Sequence, residues 1–308
     1  MILEIFHIFV DNIAPILIIA ALGFLLGKLL ELDPRPVGRI IFYILSPALV
    51  FQSISTSQIT GAELVQIILG VVLFVAFMTG IAYLLLAWLG VERLERSSVM
   101  LAVITANNGN FGLPVIELAF GPEVFARAVV VFVTITISNY STGVFIASSG
   151  RKTAREALSN ILRVPSVYAA AIGLTINFTG TTLPPFLAGP IERVSLAAVP
   201  MMLILLGLQL SNMSSIAAPR LVSIGVMLRL LLSPLAALGI ATIIGLNQPA
   251  MIAFIMQTSM PVAVMTIILA TEYNLNRSLS LSLVLASTAV SPITLSVLIL
   301  VLTRLPSL

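Results

Sequence analysis

Asn107-Asn108-Gly109-Asn110-Phe111-Gly112-Leu113-Pro114 interrupts an apolar run that begins at Met100 and resumes at Val115. An ordinary helix does not survive this composition. Pro114 lacks a backbone N–H and its ring crowds the preceding turn, and the two glycines lower helix stability further. Inside hydrocarbon an unwound backbone is tolerated only where protein or a water-filled cavity satisfies its polar groups. Freed carbonyls, freed amides and three Asn side chains at mid-membrane are what a carrier uses to hold a small polar solute or ion. A mechanical kink needs one Pro or Gly and leaves the asparagines unexplained.

The rest of the chain places that break in a membrane. Of 308 residues, 59% are hydrophobic and 9% charged, against about 25% charged in soluble domains. Mean hydropathy is +1.16. The expected class is an all-α polytopic membrane protein whose main partner is the lipid bilayer of the cell (inner) membrane. An acidic start (Glu4, Asp11) and the lack of a small-residue cleavage site before Lys28 argue against a cleavable signal peptide. Without Cys there is no disulfide framework and no thiol chemistry. The basic residues flank apolar runs, so they report topology and not nucleic-acid binding.

A membrane helix needs about 20 largely apolar residues. Ten runs qualify, at approximately 12–30, 37–55, 63–89, 97–119, 125–148, 164–179, 193–213, 219–244, 250–271 and 279–303. With the N-terminus outside, eleven of the Lys and Arg residues fall inside and three outside, leaving Arg229 within a span. That alternation supports ten spans with both termini outside. Prolines at 15, 47 and 114 reappear at 165, 200 and 261. Leu113-Pro114-Val115 in span 4 answers Met260-Pro261-Val262 in span 9. Five spans per half is an odd number, so the halves form an inverted repeat. The breaks, expected at Asn108–Pro114 and Thr258–Val262, lie near its pseudo-two-fold axis.

This layout, the break ending Gly112-Leu113-Pro114 and the stretch Gln257-Thr258-Ser259-Met260-Pro261-Val262-Ala263 resemble the auxin efflux carrier family. That family includes bacterial malate and malonate permeases and the plant PIN carriers. Arg229-Leu230-Leu231-Leu232-Ser233-Pro234 is similar to the Arg-Phe…Gly-Pro stretch of the plant members, with Ser233 in place of their glycine. The resemblance covers essentially the whole chain. The long cytoplasmic loop of the plant carriers is absent, with about 15 residues between spans 5 and 6. The resemblance implies a fold shared with bile acid–sodium symporters. Residues 12–57 and 164–213 (spans 1, 2, 6 and 7) would form a scaffold panel, often a homodimer interface. Residues 63–148 and 219–303 would form a transport domain in which broken spans 4 and 9 cross. It also implies small organic anions as substrates, either auxin-like or resembling malate and malonate, with the crossover prolines and neighbouring Asn side chains lining the site.

The residues themselves point the same way. Helix N-termini carry partial positive charge and free N–H groups, which suit a carboxylate. The expected substrate-binding set is Asn107, Asn108, Asn110, Gly112, Leu113, Pro114, Val115, Thr258, Ser259, Met260, Pro261, Val262 and Arg229. Arg229 lies nine positions beyond Arg220, roughly 13 Å along a helix, so it either snorkels toward the cytoplasmic face or serves the site or a gate. The expected ion-coupling set is Gln257, Thr134, Ser138, Asn139 and Glu117. Hydroxyls such as Thr134 also have a plain structural use, bonding back to their own helix. Glu117 either carries a proton, pairs with a cation or sits at the outer surface. No cofactor is expected, and Na⁺ or H⁺ is the coupling ion in view.

Enzyme chemistry finds no constellation here. One peripheral His, no Cys and no Asp within a span remove the usual metal, cysteine and aspartyl centres. The remaining alternatives to an ion-coupled carrier of the elevator type are a passive uniporter and a transporter-fold sensor. The lack of an appended soluble domain argues against the sensor.

Overall fold

Hydrocarbon offers the backbone no partner, so a chain this apolar pairs its amides within helices. The computed structural model describes residues 2–148, 154–211 and 217–304, and these are helical apart from short connections. Arg151, Lys152 and positions 212–216 of the link after span 7 lie outside the described residues. Among the described residues, seven helices are long and apolar enough to cross a membrane. They are α1 (Leu3–Leu29), α2 (Pro34–Ser55), α3 (Gly61–Trp88), α5 (Asn108–Ala147), α8 (Pro185–Ser211), α9 (Pro219–Ile243) and α12 (Arg277–Thr303). Between them lie α4 (Arg93–Ile104), α6 (Ala154–Ile161), α7 (Pro165–Thr179), α10 (Gln248–Thr258) and α11 (Met265–Glu272).

At 1.5 Å per residue a straight α5 would reach about 60 Å, twice the hydrocarbon thickness. It is divided at Gly121, whose φ of 74° suits a residue without a Cβ, and Pro122 follows at once. Span 1 begins earlier than its apolar pattern suggests, because Glu4, His7 and Asp11 are carried on the helix itself. The α8 helix likewise starts at Pro185, before the charged pair Glu192-Arg193.

Most of the in-span prolines do not break their helices. Single π-turns stand at Phe9–Ile13, Ile41–Leu45, Asn108–Gly112 and Leu228–Leu232, each ending two residues before Pro15, Pro47, Pro114 or Pro234. In each, the residue before the proline donates its N–H five residues back, as Leu113 does to the Asn108 carbonyl. The wider turn absorbs the missing donor and the bulk of the ring. The prolines paired by sequence position differ in local structure. Pro15 and Pro114 follow π-turns inside helices, whereas their partners Pro165 and Pro261 open α7 and lie in an extended segment.

Packing is closest where small residues let backbones touch. A Cβ on Gly207 of α8 would fall 1.8 Å from the Ala20 carbonyl oxygen of α1, and one on Gly23 would fall 2.2 Å from the Ile204 oxygen. Without a hydrophobic force between helices in lipid, such approach is a main source of association. The α1 helix packs on α8, and α2 packs on both α7 and α8. Among the other helices, α5 packs on α10 and α3, and α12 on α4, α9 and α11. The two sets meet chiefly where α8 crosses Asn108–Gly112, where α2 meets α5 and where α1 meets α12.

Candidate functional site

Two helices stop at mid-chain and restart a few residues later. The α4 helix ends at Ile104, Thr105 is extended (φ −90°, ψ 94°), and α5 resumes at Asn108. The α10 helix ends at Thr258 and α11 opens at Met265. The first break therefore lies a turn before the Asn108–Pro114 stretch where the sequence places it. Asn108–Gly112 widens into a π-turn and stays helical. Unwinding occurs instead where the backbone finds a partner across the gap. Asn107 N–H donates to the Pro261 carbonyl at 2.8 Å, and Ala263 N–H donates to the Thr105 carbonyl at 2.9 Å. These bonds set Ala106 opposite Val262 in one antiparallel bridge. Such a pair is locally two-fold symmetric.

Side chains complete the crossing. Asn108 Nδ2 donates to the Gln257 backbone carbonyl (2.7 Å) and to its Oε1 (2.9 Å). Gln257 Nε2 reaches the Ala128 carbonyl at 3.2 Å. Val262 N–H donates to Ser287 Oγ at 3.0 Å, and Thr105 and Thr266 share a hydroxyl bond. Gly112 is required by proximity, since a Cβ there would lie 2.5 Å from Gln257 Oε1 and 3.0 Å from Met260 Cγ. Arg229 is fully buried; its Nε donates to the Met260 carbonyl (2.7 Å) and its Nη1 to the Val103 carbonyl (2.8 Å). Asn108 Oδ1, Arg229 Nη2 and Thr288 Oγ1 are buried without a partner among the described residues.

The structure thus gathers Asn107, Asn108, Gly112, Gln257, Met260, Pro261, Val262 and Arg229 at one crossing. Leu113, Pro114 and Val115 are buried just beyond, in the turn that follows Gly112. Asn110 is half-buried on the π-turn that α8 crosses. Thr258 and Ser259 spend their hydroxyls on the Phe254 and Ile255 carbonyls of their own helix. Thr134 does the same with Val130, and Ser138 and Asn139 lie half-buried farther along α5. Glu117 is exposed. Snorkelling does not describe Arg229, whose side chain ends inside the protein.

One polar cluster escapes the sequence reading. Arg127, one of the three basic residues that the charge count places outside, is buried in α5 against Glu63 of α3, with Nε 2.6 Å from Oε1 and Nη2 3.3 Å from Oε2. Asn247, which caps α10 through Ala250 N–H, also donates Nδ2 to Glu63 Oε1 at 3.0 Å. Each residue stands near the start of its own span, and only that shared position hints at their meeting.

A family described as membrane transport protein matches this chain over residues 8–157 and 149–299. The chain belongs to that family. It is the auxin efflux carrier family that the motifs resemble, and the protein is a membrane transporter, not an enzyme. An uncharacterized transporter of Methanothermobacter thermautotrophicus is 29% identical over 293 residues, covering 92% of this chain and 95% of the relative. Another, from Methanocaldococcus jannaschii, is 27% identical over 302 residues, covering 91% and 94%.

Proposed function

We propose that this transporter moves a small organic anion, a mono- or dicarboxylate, by alternating access of the elevator type. The observation that carries the reading is the electrostatic asymmetry of the crossing. Each half-helix end carries about half an elementary charge, negative at the C-terminus and positive at the N-terminus. Arg229 occupies the negative side, bonded to the carbonyls of Val103 and Met260. On the positive side the first π-turn bond of α5 runs from Gly112 N–H to the Asn107 carbonyl. The amides of Asn108 to Phe111 precede that bond and have no helical acceptor. Together with the side chains of Asn107 and Asn110, they form a donor set suited to a carboxylate; the Asn108 side chain spends both its protons on Gln257 and holds the turn in place.

The architecture supports the same reading. The long helices, α7, the two parts of α5 and the interrupted pairs make ten spans in two inverted halves. The locally two-fold pairing of Ala106 with Val262 then lies on the repeat axis. The helices α1, α2, α7 and α8 form the panel, through which a homodimer assembles. The remaining spans form the moving domain, and both termini face outside the cell membrane.

Uptake of labelled mono- and dicarboxylates into proteoliposomes tests the assignment. Replacement of Asn110 by Ala should weaken saturable uptake far more than replacement of Thr142. Equal effects in two folded proteins would make the Asn cluster structural and remove the anion site. Uptake with and without an imposed Na⁺ or H⁺ gradient separates a coupled carrier from a uniporter.

A further inference from the structure

We infer that Arg229 is the resident cation of the helix crossing, a tethered charge that balances the half-helix ends meeting there. The α4 and α10 helices run toward the crossing from opposite directions and present their C-terminal carbonyls there. Two such ends carry about one negative charge between them, which a single guanidinium balances. Their last carbonyls have no helical donor. Arg229 supplies donors to one carbonyl from each side, at 2.8 Å (Val103) and 2.7 Å (Met260), and its side chain is fully buried.

Its place in the fold suits the task. Arg229 lies within the Leu228–Leu232 π-turn of α9, a helix separate from both interrupted ones, so one side chain ties α9 to the last turn of α4 at Val103 and to the break just past α10 at Met260. The planar fork presents several N–H donors at fixed angles and reaches two acceptors at once, which a single ammonium does less well. A charge this deep is retained only when it is paired, and here the partners are backbone dipoles instead of a carboxylate. Because the cation is covalently held, the crossing keeps its charge balance throughout transport without loading or releasing an ion at this position. The inference rests on the crossing geometry and not on the identity of the substrate.

Thermal stability of the purified full chain in detergent, followed by size-exclusion chromatography after heating, reads this directly. The wild type should melt at the same temperature in NaCl, KCl and choline chloride at equal ionic strength. Arg229→Ala should melt several degrees lower and recover in low-millimolar guanidinium chloride, a free ion of the missing shape, relative to equimolar choline chloride. Arg229→Lys and Arg229→Met, similar in volume, keep the comparison open if the Ala variant does not fold. Lys should fold and fall between wild type and Met. A wild type stabilised by Na⁺ over both K⁺ and choline would place a metal ion at the crossing and overturn the inference. So would an Ala variant indifferent to guanidinium, or Lys and Met variants of equal stability.

Discussion

Asn108 gives both protons of its side-chain amide to Gln257, one to the backbone carbonyl and one to the side-chain carbonyl. That contact ties the restart of one interrupted helix to the last turn of the other before its break. Burial makes the bonds consequential, because Gln257 is inaccessible to solvent and Asn108 nearly so. A carboxylate at 108 cannot donate, and it would face two carbonyl oxygens with no proton to share. Asn108→Asp should destabilise the protein by about 1–3 kcal/mol or more, the range for a buried polar group left unsatisfied. A melting temperature equal to wild type would mean that the Asn108–Gln257 contact does not hold the crossing.

Gly112 offers a steric probe of the same contact. Gly112→Ala would drive a methyl group to 2.5 Å from Gln257 Oε1. Overpacking of that kind costs about 1–3 kcal/mol. Gly239→Ala, where no atom lies within 4 Å of the added carbon, should be neutral or stabilising by up to about 1 kcal/mol, since Ala is the better helix former. Parallel melting curves of the two variants decide the matter. Equal stability would show that the two interrupted helices are not packed this closely.

The Glu63–Arg127 pair predicts a different pattern. Both side chains are nearly inaccessible, and Asn247 adds a further bond to the same carboxylate. Glu63→Gln leaves the buried guanidinium with only the exposed Glu123 carboxylate, 3.7 Å away, and loss of a buried partner typically costs about 3–5 kcal/mol. The double variant Glu63→Met with Arg127→Leu removes both charges and should recover most of that loss. A single variant as stable as wild type, or a double variant no better than Glu63→Gln, would show that the pair does not join α3, α5 and α10.

Composition made the membrane class legible, because no soluble core tolerates so few charges. The two interruptions were also legible, since Gly, Asn and Pro amid apolar residues have few other uses. The second falls where the sequence places it, after Thr258, but the register of the first was not legible. Pro114 draws attention as a helix breaker, yet a π-turn accommodates it, and the unwound residues are Thr105 to Asn107, which carry neither Gly nor Pro. The cause lies across the gap, in backbone partners at Pro261 and Ala263 that local sequence does not announce. Arg229 was conspicuous as an intramembrane charge, but its acceptors are carbonyls, which every residue has. Glu63 and Arg127 stand at the edges of the apolar runs 63–89 and 125–148, where a charge draws no notice, and only the fold brings their helices side by side.

The proposed carriage of the crossing past a fixed panel yields the last prediction. The chain has no Cys, so introduced pairs report without background. The α1 and α8 helices touch through Gly23 and Gly207 with no room for sliding. A disulfide between those two helices, placed clear of the glycines, should therefore leave transport intact. The α2–α5 contact is of another kind, because it joins the panel to the helix that carries Asn108 and Asn110. A disulfide there should abolish turnover while substrate still binds from one side, as read by uptake and by equilibrium binding in the same preparation. Reduction should restore transport, since the constraint is then removed and the fold is unchanged. Undiminished turnover in fully cross-linked protein would exclude rigid carriage and favour local rearrangement around the crossing.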